Sequence, residues 1–231
     1  MQHAGVMSDE RNVTADGADV EARGVVEAER VTREWDERYA AADRVWSGEP
    51  NGALIREVAD LRPGRALDVG CGEGADAIWL AQRGWEVTAV EVSRVALQRA
   101  QSHAAAAGLA VTWVHQGLLD AGLPPAFFDL VSAQYPALRR TPADDAERAL
   151  LSAVAPGGTL LVVHHDVSDP TLAHEHGFDP NDWVGPRDVA ELLGGDWRID
   201  VNELRQRTVT GGAGAHHTHD IVLRATRTRL S

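Results

Sequence analysis

The stretch "RALDVGCGEGADAIWLAQRG", residues 65–84, decides the fold of this 231-residue chain. A short apolar run containing Asp68 comes first, a turn with three glycines follows, and apolar residues then recur at helical spacing. The glycines of this turn are Gly70, Gly72 and Gly74. A strand, turn and helix of this kind lets a ligand approach backbone amides at the carboxyl end of the strand. The stretch therefore predicts a ligand-binding turn in an α/β sheet.

The segments around this turn alternate between strand and helix patterns. Continuous apolar runs such as "GTLLVV" are typical of parallel strands covered on both faces, so the fold class is α/β with a doubly wound sheet. A helix over "PRDVAELLGG" precedes two alternating segments joined by glycines, which predict a final hairpin. Strands are predicted near 65–70, 86–91, 111–116, 128–133 and 158–165, and helices near 25–43, 74–83, 94–107 and 143–155.

Composition restricts the classes of function. With 44% hydrophobic residues, the chain suits one domain, placed at residues 25–231 behind a small, polar tail at 1–24 that we expect to be disordered. A formal charge of -13 disfavours nucleic acid as a partner. Without an apolar run for a membrane span or a signal peptide, the expected location is cytoplasmic and the expected partner is a small molecule.

Two residue types exclude further chemistry. All 22 basic residues are arginine, so Schiff-base catalysis by lysine and a lysine-containing P-loop are excluded. Cys71 is the single cysteine, which excludes an intramolecular disulfide and a cysteine-rich metal site.

The glycine turn admits two classes of cofactor. Gly70, Gly72 and Ala75 formally fit the dinucleotide fingerprint, so a nicotinamide enzyme is one interpretation. Asp68 disfavours it, because a carboxylate beside the turn suits a cationic ligand better than a pyrophosphate. Glu91 ends the second predicted strand, where its carboxylate can accept hydrogen bonds from ribose hydroxyls in either class.

The segments "ALDVGCGEG", "VTAVEVS", "FDLVSAQY" and "PGGTLLVV" together resemble the class I S-adenosylmethionine-dependent methyltransferases over residues 65–164. The resemblance implies a seven-stranded Rossmann-like sheet of order 3-2-1-4-5-7-6 with an N-terminal lid helix. It also implies S-adenosylmethionine as cofactor and S-adenosylhomocysteine as product, with the methionine portion at Asp68 and the turn and the ribose at Glu91. The residues assigned to the cofactor on this basis are Tyr39, Asp68, Gly70, Cys71, Gly72, Gly74, Glu91, Val92, Gly117, Leu118, Leu119 and Gln134.

The segment expected to hold adenine departs from the family pattern. Many members place an aspartate where "HQGLLDAG" has Gly117, and Asp120 follows three residues later. Backbone groups of Leu118 or Leu119 could bind adenine alone, or Asp120 could take the role from a shifted loop.

An aromatic segment precedes the sheet. "WDERYAAADRVWSGEPNGAL", residues 35–54, resembles the lid helix of small-molecule methyltransferases of the thiopurine and tellurite-resistance group, including relatives that methylate thiols. By that resemblance Tyr39 lies over the cofactor and Trp46 faces the methyl acceptor. The alternative is that these aromatic residues, Trp35 above all, only pack a helix on the sheet.

Histidines gather at the same predicted edge of the sheet. His164 and His165 end the fifth strand, point to opposite faces and are candidates for removing a proton from the acceptor, or for anchoring a loop. In "HHTHD", residues 216–220, His217 and His219 are two residues apart and are expected to share a face nearby. No specific metal motif accompanies them, so we predict no metal. The residues assigned to the substrate are Trp46, Tyr135, His217 and His219, and His174 and His176 could approach from a loop.

These patterns favour a methyltransferase that acts on a small molecule, with a thiol or another heteroatom as the nucleophile, in detoxification or specialised metabolism. A thiol is attractive because its unperturbed pKa, about 8.5, leaves a useful ionised fraction without a strong base. An RNA or protein methyltransferase is an alternative that the acidic composition disfavours. A sensor or scaffold that binds S-adenosylmethionine without turnover is the alternative from another class.

Overall fold

The computed structural model describes residues 28–166, 182–207 and 217–229. Helix α1 spans residues 28–40 and precedes the sheet. The other helices are α2 (Gly52–Val58), α3 (Ala75–Gln82), α4 (Arg94–Ala106), α5 (Asp145–Ala153) and α6 (Pro186–Glu191). The strands are β1 (Arg65–Val69), β2 (Glu86–Glu91), β3 (Thr112–His115), β4 (Phe128–Gln134), β5 (Val154–His165), β6 (Trp197–Gln206) and β7 (His219–Arg227).

The seven strands form one sheet of order β3-β2-β1-β4-β5-β7-β6, which confirms the predicted order. Strands β1 to β5 are parallel where they pair, and β7 runs antiparallel between β5 and β6. The carboxyl ends of the five parallel strands therefore meet at one edge of the sheet, where ligands bind in doubly wound folds.

Two apolar layers cover the sheet. On one face, Leu150 of α5 and Val189 of α6 pack with Val162 of β5. On the other face, Leu54 of α2 and Leu80 of α3 pack with Val163. Because side chains alternate along a strand, neighbouring residues of β5 enter different layers, and the same alternation continues to the end of that strand.

The structure differs from the sequence-based prediction in detail. Strand β5 begins at Val154 rather than near 158, immediately after α5 ends at Ala153. Helix α2 was not predicted, because its seven residues carry only the pair Leu54 and Val58 at helical spacing on the core side. The polar tail at 1–24 and the glycines of the final hairpin lie outside the described residues. Of the helices described, none is long and apolar enough to cross a membrane.

Candidate functional site

The glycine turn lies between the carboxyl end of β1 and the start of α3. The amides of Gly70 and Cys71 both donate to the carbonyl of Val90, at 2.9 and 3.1 Å, which ties the turn to β2. Gly72 has a φ of 53°, and a Cβ there would lie 2.8 Å from Oη of Tyr39. Gly74 has a φ of 86°, and a Cβ there would lie 2.7 Å from Cβ of Ala100. Both positions require glycine, because the backbone is left-handed and a side chain there would collide with a neighbouring residue.

Asp68 is buried at the end of β1, with an exposed fraction of 2%. Burial raises the pKa of its carboxyl well above the usual value, and the charges of Asp76 and Glu91 raise it further. Among the residues that the structure describes, Oδ2 of Asp68 has no hydrogen-bond partner, and neither does Oε1 of the buried Gln134. Buried acceptors are normally satisfied, so these two oxygens indicate a place for a ligand that donates hydrogen bonds.

Glu91 ends β2 and is also buried. Its Oε2 accepts from the amide of Gly72 and its Oε1 from the amide of Ser93, both at 2.9 Å. Burial raises the pKa of this carboxyl, and the two amide hydrogen bonds oppose that shift. The carboxylate is thus held directly beside the glycine turn.

The residues predicted to hold adenine lie together beyond Glu91. A Cβ at Gly117 would lie 3.6 Å from Cγ1 of Val92 and 3.7 Å from Oδ2 of Asp120, so these three residues are neighbours. Leu118 is buried, whereas Leu119 is 55% exposed. The segment can therefore form an apolar wall with a carboxylate at its border.

The lid aromatics lie over the turn. Nε1 of Trp46 donates to Oη of Tyr39 at 2.8 Å, and this hydroxyl is the neighbour that a side chain at position 72 would meet. Tyr39 is buried and Trp46 is partly buried. The structure therefore brings both residues to the turn, and Trp35 packs on Tyr39 with ring centroids 5.9 Å apart.

Residues that the sequence reasoning missed hold this lid in place. Oε1 of Glu73 pairs with Arg99 at 2.9 Å, and its Oε2 accepts from the amide of Trp46 at 3.2 Å. Arg99 also donates to the carbonyl of Tyr39 at 2.9 Å. Oδ1 of Asp36 accepts from Oγ of Ser93 at 2.6 Å, at the start of α4. In the sequence, the indication of these contacts was an acidic residue, Glu73, inside the glycine turn.

The fifth strand ends at two histidines in different surroundings. His165 lies directly opposite Asp220 in the β5–β7 register, with Nδ1 3.3 Å from Oδ1 of that carboxylate. Its ring stacks between those of Tyr135 and His217, with centroid distances of 4.2 and 3.9 Å. Asp220 was not among the predicted site residues, although it is the last residue of the quoted "HHTHD".

His164 lies on the other face of β5, as the alternation predicts. Burial lowers its pKa from 6.5 to about 4, and the neighbouring His165 contributes. The expected shared face of His217 and His219 is wrong, because β7 begins only at His219. The side chains of His219 and Asp220 are neighbours on β7 and therefore point to opposite faces of the sheet. His217 precedes the strand, and its ring stacks on that of His165, which lies on the same face as Asp220.

Two further expectations concern loops and metals. His174 and His176 lie outside the described residues. Within the described ranges, no group of three or more histidine, cysteine or acidic side chains has an arrangement that could hold a metal ion.

Comparisons with known proteins agree with this geometry. Residues 66–158 match the family described as a methyltransferase domain. An uncharacterized methyltransferase of Mycobacterium tuberculosis is 37% identical over 122 residues, covering 52% of this chain and 61% of the relative. The chain thus matches about three fifths of that relative's length. A 2-heptyl-1-hydroxyquinolin-4(1H)-one methyltransferase of Mycobacteroides abscessus is 26% identical over 170 residues, covering 69% of this chain and 71% of the relative.

Solved structures share the fold. A structure of a protein from Methanosarcina mazei described as a SAM-dependent methyltransferase superposes with a TM-score of 0.61 and 17% identity, covering 77% of this chain and 98% of the other. The strand order of the sheet agrees with the fold of this structure, and residues 66–158 of the chain are similar to a methyltransferase domain.

Proposed function

We propose that this chain transfers a methyl group from S-adenosylmethionine to a heteroatom of a small-molecule acceptor. The observation that carries the proposal is the buried Oδ2 of Asp68, two residues before the glycine turn, which has no hydrogen-bond partner in the described structure. A carboxylate oxygen in that state suits a cationic donor, and the cofactor carries an ammonium group on its methionine portion.

The residues at the edge fit the rest of the cofactor in order along the sheet. Asp68 and Gln134 would accept from the ammonium group, and the backbone of Gly70, Cys71 and Gly72 would approach the methionine portion. Glu91 would accept from the ribose hydroxyls. The adenine would lie along the wall formed by Val92, Gly117, Leu118 and Leu119. When bound, the cofactor supplies a methyl group on a sulfonium, which is a good leaving group.

Three observations support a small acceptor. Tyr39 and Trp46 lie over the turn, so they limit the space for an acceptor above it. The charge of -13 disfavours a polyanionic acceptor. The Mycobacteroides relative is named for a methyltransferase of a small hydroxylated heteroaromatic molecule. A hydroxyl or a thiol is the nucleophile we propose, in detoxification or specialised metabolism.

The proposal is tested first by binding. We expect titration calorimetry to detect S-adenosylhomocysteine binding to the wild-type chain and no binding of NAD. Asp68→Asn is expected to abolish the binding. Asp129→Asn is the matched control, because Asp129 accepts from the amide of Arg65 at the opposite end of β1. NAD binding in place of S-adenosylhomocysteine would contradict the proposal.

The second test is turnover. Incubation with S-adenosylmethionine and a panel of thiols, phenols and amines is expected to release S-adenosylhomocysteine with at least one acceptor. Binding without turnover on any member of the panel would instead identify a sensor or scaffold.

A further inference from the structure

Asp220 is the centre of a compact group of side chains at the carboxyl edge of the sheet. Its Oδ2 accepts from Oη of Tyr135 at 2.8 Å and lies 3.2 Å from Nε of Arg207. Its Oδ1 lies 3.3 Å from Nδ1 of His165. We call Asp220, Tyr135, His165, Arg207 and His217 the Asp220 cluster.

Strand pairing and backbone hydrogen bonds fix the positions of residues in this cluster. His165 and Asp220 are direct partners in the β5–β7 register. Tyr135 has a φ of 52°, a left-handed conformation that is unfavourable for a non-glycine residue, and its amide donates to the carbonyl of Val163 at 2.8 Å. Strained backbone of this kind is typical of functional sites, where surrounding contacts maintain it.

The cluster lies beside the proposed cofactor site. Strand β4 separates β1, which carries Asp68, from β5, which carries His165. Tyr135 of the Asp220 cluster directly follows Gln134, which ends β4 and is proposed to bind the cofactor, so an acceptor at the end of β4 can contact both sides.

We propose that Asp220 is a positioning residue that holds His165 as the proton acceptor for a hydroxylated aromatic substrate, a phenol in its simplest form. This inference rests on the proposed methyl transfer and names the acceptor class of the same site. Nδ1–H of His165 donates to Asp220, so the neutral ring carries its lone pair at Nε2.

The proton and the methyl group balance in this step. The oxygen of the phenol forms a bond to the methyl carbon while the carbon–sulfur bond of the sulfonium breaks, and its electron pair stays on sulfur. The phenol proton passes to Nε2 of His165, and the imidazolium formed is stabilised by Asp220. The products are a methyl ether, S-adenosylhomocysteine and one proton, which His165 returns to solvent.

A hydroxyl explains the cluster better than a thiol. A thiol with a pKa of about 8.5 is partly ionised at neutral pH and needs little help, whereas a phenol with a pKa of about 10 stays protonated. A positioned base contributes on the order of 10²-fold or more only where a proton must leave in the transition state. A carboxylate that orients a histidine is therefore of use chiefly to the weaker acid.

The charges around His165 are compatible with this role. Arg207 compensates Asp220, and the guanidinium also lies over the ring of Tyr135 at 5.1 Å. His217 stacks on His165, and Tyr135 donates to Asp220. Along the chain, His164 precedes His165 on β5 and Asp166 follows the strand. Glu57 of α2, on the same face, pairs with Arg205 at 2.8 Å and Arg224 at 3.6 Å.

The test uses the full chain and a series of substituted phenols with pKa values from about 7 to about 10, assayed near pH 8.5. Asp220→Asn and His165→Gln are each expected to lower kcat/KM on the order of 10²-fold for the weakest acid and less than about threefold for the ionised phenol. The double variant is expected to lose little more than either single one, because the two residues act together. Asp220→Glu is expected to recover part of the rate.

Asp200→Asn is the matched control. Asp200 also accepts from a hydroxyl, that of Thr226, and from a guanidinium, that of Arg198, but lies at the other end of the hairpin. Its variant is expected to keep the wild-type dependence on phenol pKa. If Asp220→Asn does not fold, His165→Gln carries the test, because it leaves the contacts of Asp220 with Tyr135 and Arg207 in place.

A readout without turnover completes the test. Nitrogen-15 spectra of the histidine rings are expected to show the Nδ1–H tautomer for His165 in the wild type and its loss in Asp220→Asn, with S-adenosylhomocysteine affinity unchanged. Equal losses for all phenols, or turnover of thiols and of no phenol, would overturn the inference while leaving methyl transfer intact. Absence of S-adenosylhomocysteine binding to the wild type would instead remove the proposed function itself.

Discussion

Three carboxylates, Asp68, Asp76 and Glu91, are buried behind the glycine turn. Asp76 accepts from the backbone and side-chain amides of Asn51, both at 2.7 Å, and Glu91 accepts from two backbone amides. Asp68 alone keeps an oxygen without a hydrogen-bond partner in the described structure. At the scale of single residues, burying the charge of Asp68 near two other carboxylates is therefore unfavourable, and a cationic ligand would reduce that free-energy cost.

This cost predicts proton release on binding. Because burial raises the pKa of Asp68 above its usual value, the unliganded carboxyl takes up a proton at a higher pH than an ordinary aspartate does. An ammonium group beside Oδ2 favours the charged form, so the proton leaves. Calorimetry of S-adenosylhomocysteine in two buffers of different ionisation enthalpy measures the release. The release is expected in the pH range where the unliganded carboxyl titrates, and its absence at every pH measured would refute the prediction.

The glycine turn supplies a second prediction at this scale. Gly72→Ala is expected to weaken S-adenosylhomocysteine binding on the order of 10²-fold or more, because the added Cβ displaces Tyr39. Gly108→Ala is the matched control, since Gly108 has a φ of 68° but no atom within 4 Å of an added Cβ. Both variants are expected to lose about 1 kcal/mol of unfolding free energy from backbone strain. Equal affinities in the two variants would show that the space beside Gly72 is not used.

At the scale of elements, polar contacts join α1 to α4, which itself packs on the sheet. Asp36 accepts from Oγ of Ser93 and from the amide of Val95, at the first turn of α4. Arg99 joins Glu73 to the carbonyls of Tyr39 and Ala42. The same helix that follows Glu91 therefore positions α1, so the proposed lid and the proposed cofactor site share one support.

Removing that support is expected to loosen the lid. Arg99→Met keeps much of the side-chain stem but removes the three polar contacts, so hydrogen exchange over residues 36–46 is expected to become faster. Turnover is expected to fall more than S-adenosylhomocysteine affinity, because the acceptor side loses its cover. Arg148→Met, which changes an exposed pair with Asp144 on α5, is the control. Unchanged exchange in Arg99→Met would show that apolar packing of α1 suffices.

The substitution Tyr39→Phe distinguishes a packing role of this aromatic residue from a role in turnover. Tyr39→Phe retains the buried ring and removes only the hydroxyl that accepts from Trp46. It is expected to lower turnover several-fold and to change the unfolding free energy by about 1 kcal/mol, which is typical of one lost hydrogen bond. A large loss of stability with normal kinetics would assign Tyr39 to the core alone.

At the scale of the whole molecule, His164 makes stability depend on pH. Its folded pKa of about 4 lies below the unfolded value of 6.5, so the unfolded chain binds more protons between these two values. Stability is therefore lost as the pH falls through this window, by on the order of 3 kcal/mol in full. Urea unfolding of the wild type and His164→Gln across the window measures it. The variant is expected to show the weaker pH dependence, and parallel curves would contradict this assignment.

Much of the architecture follows from the sequence because its determinants are local. The strand, glycine turn and helix at 65–84, the alternating core and the final hairpin depend on periods of two and of about 3.6 residues and on turn glycines. The candidate residues Asp68, Gly72 and Glu91 could be predicted for the same reason: each lies at the end or turn of a recognisable element. Helix α2 escaped prediction because its signal is too short.

The tertiary structure alone decided which distant side chains meet. Asp220 contacts Tyr135 across 85 positions of the chain, and Arg99 reaches Tyr39 across 60. The first pair depends on which strands are neighbours and the second on how α1 packs against α4, and both are tertiary contacts between distant parts of the chain. Alternation along β5 already separates His164 from His165, whereas the β5–β7 register placed Asp220 opposite His165, and His217, which precedes β7, stacks on His165. Local periodicity therefore determined the elements and the glycine turn, whereas the packing of the sheet determined the partners of His165.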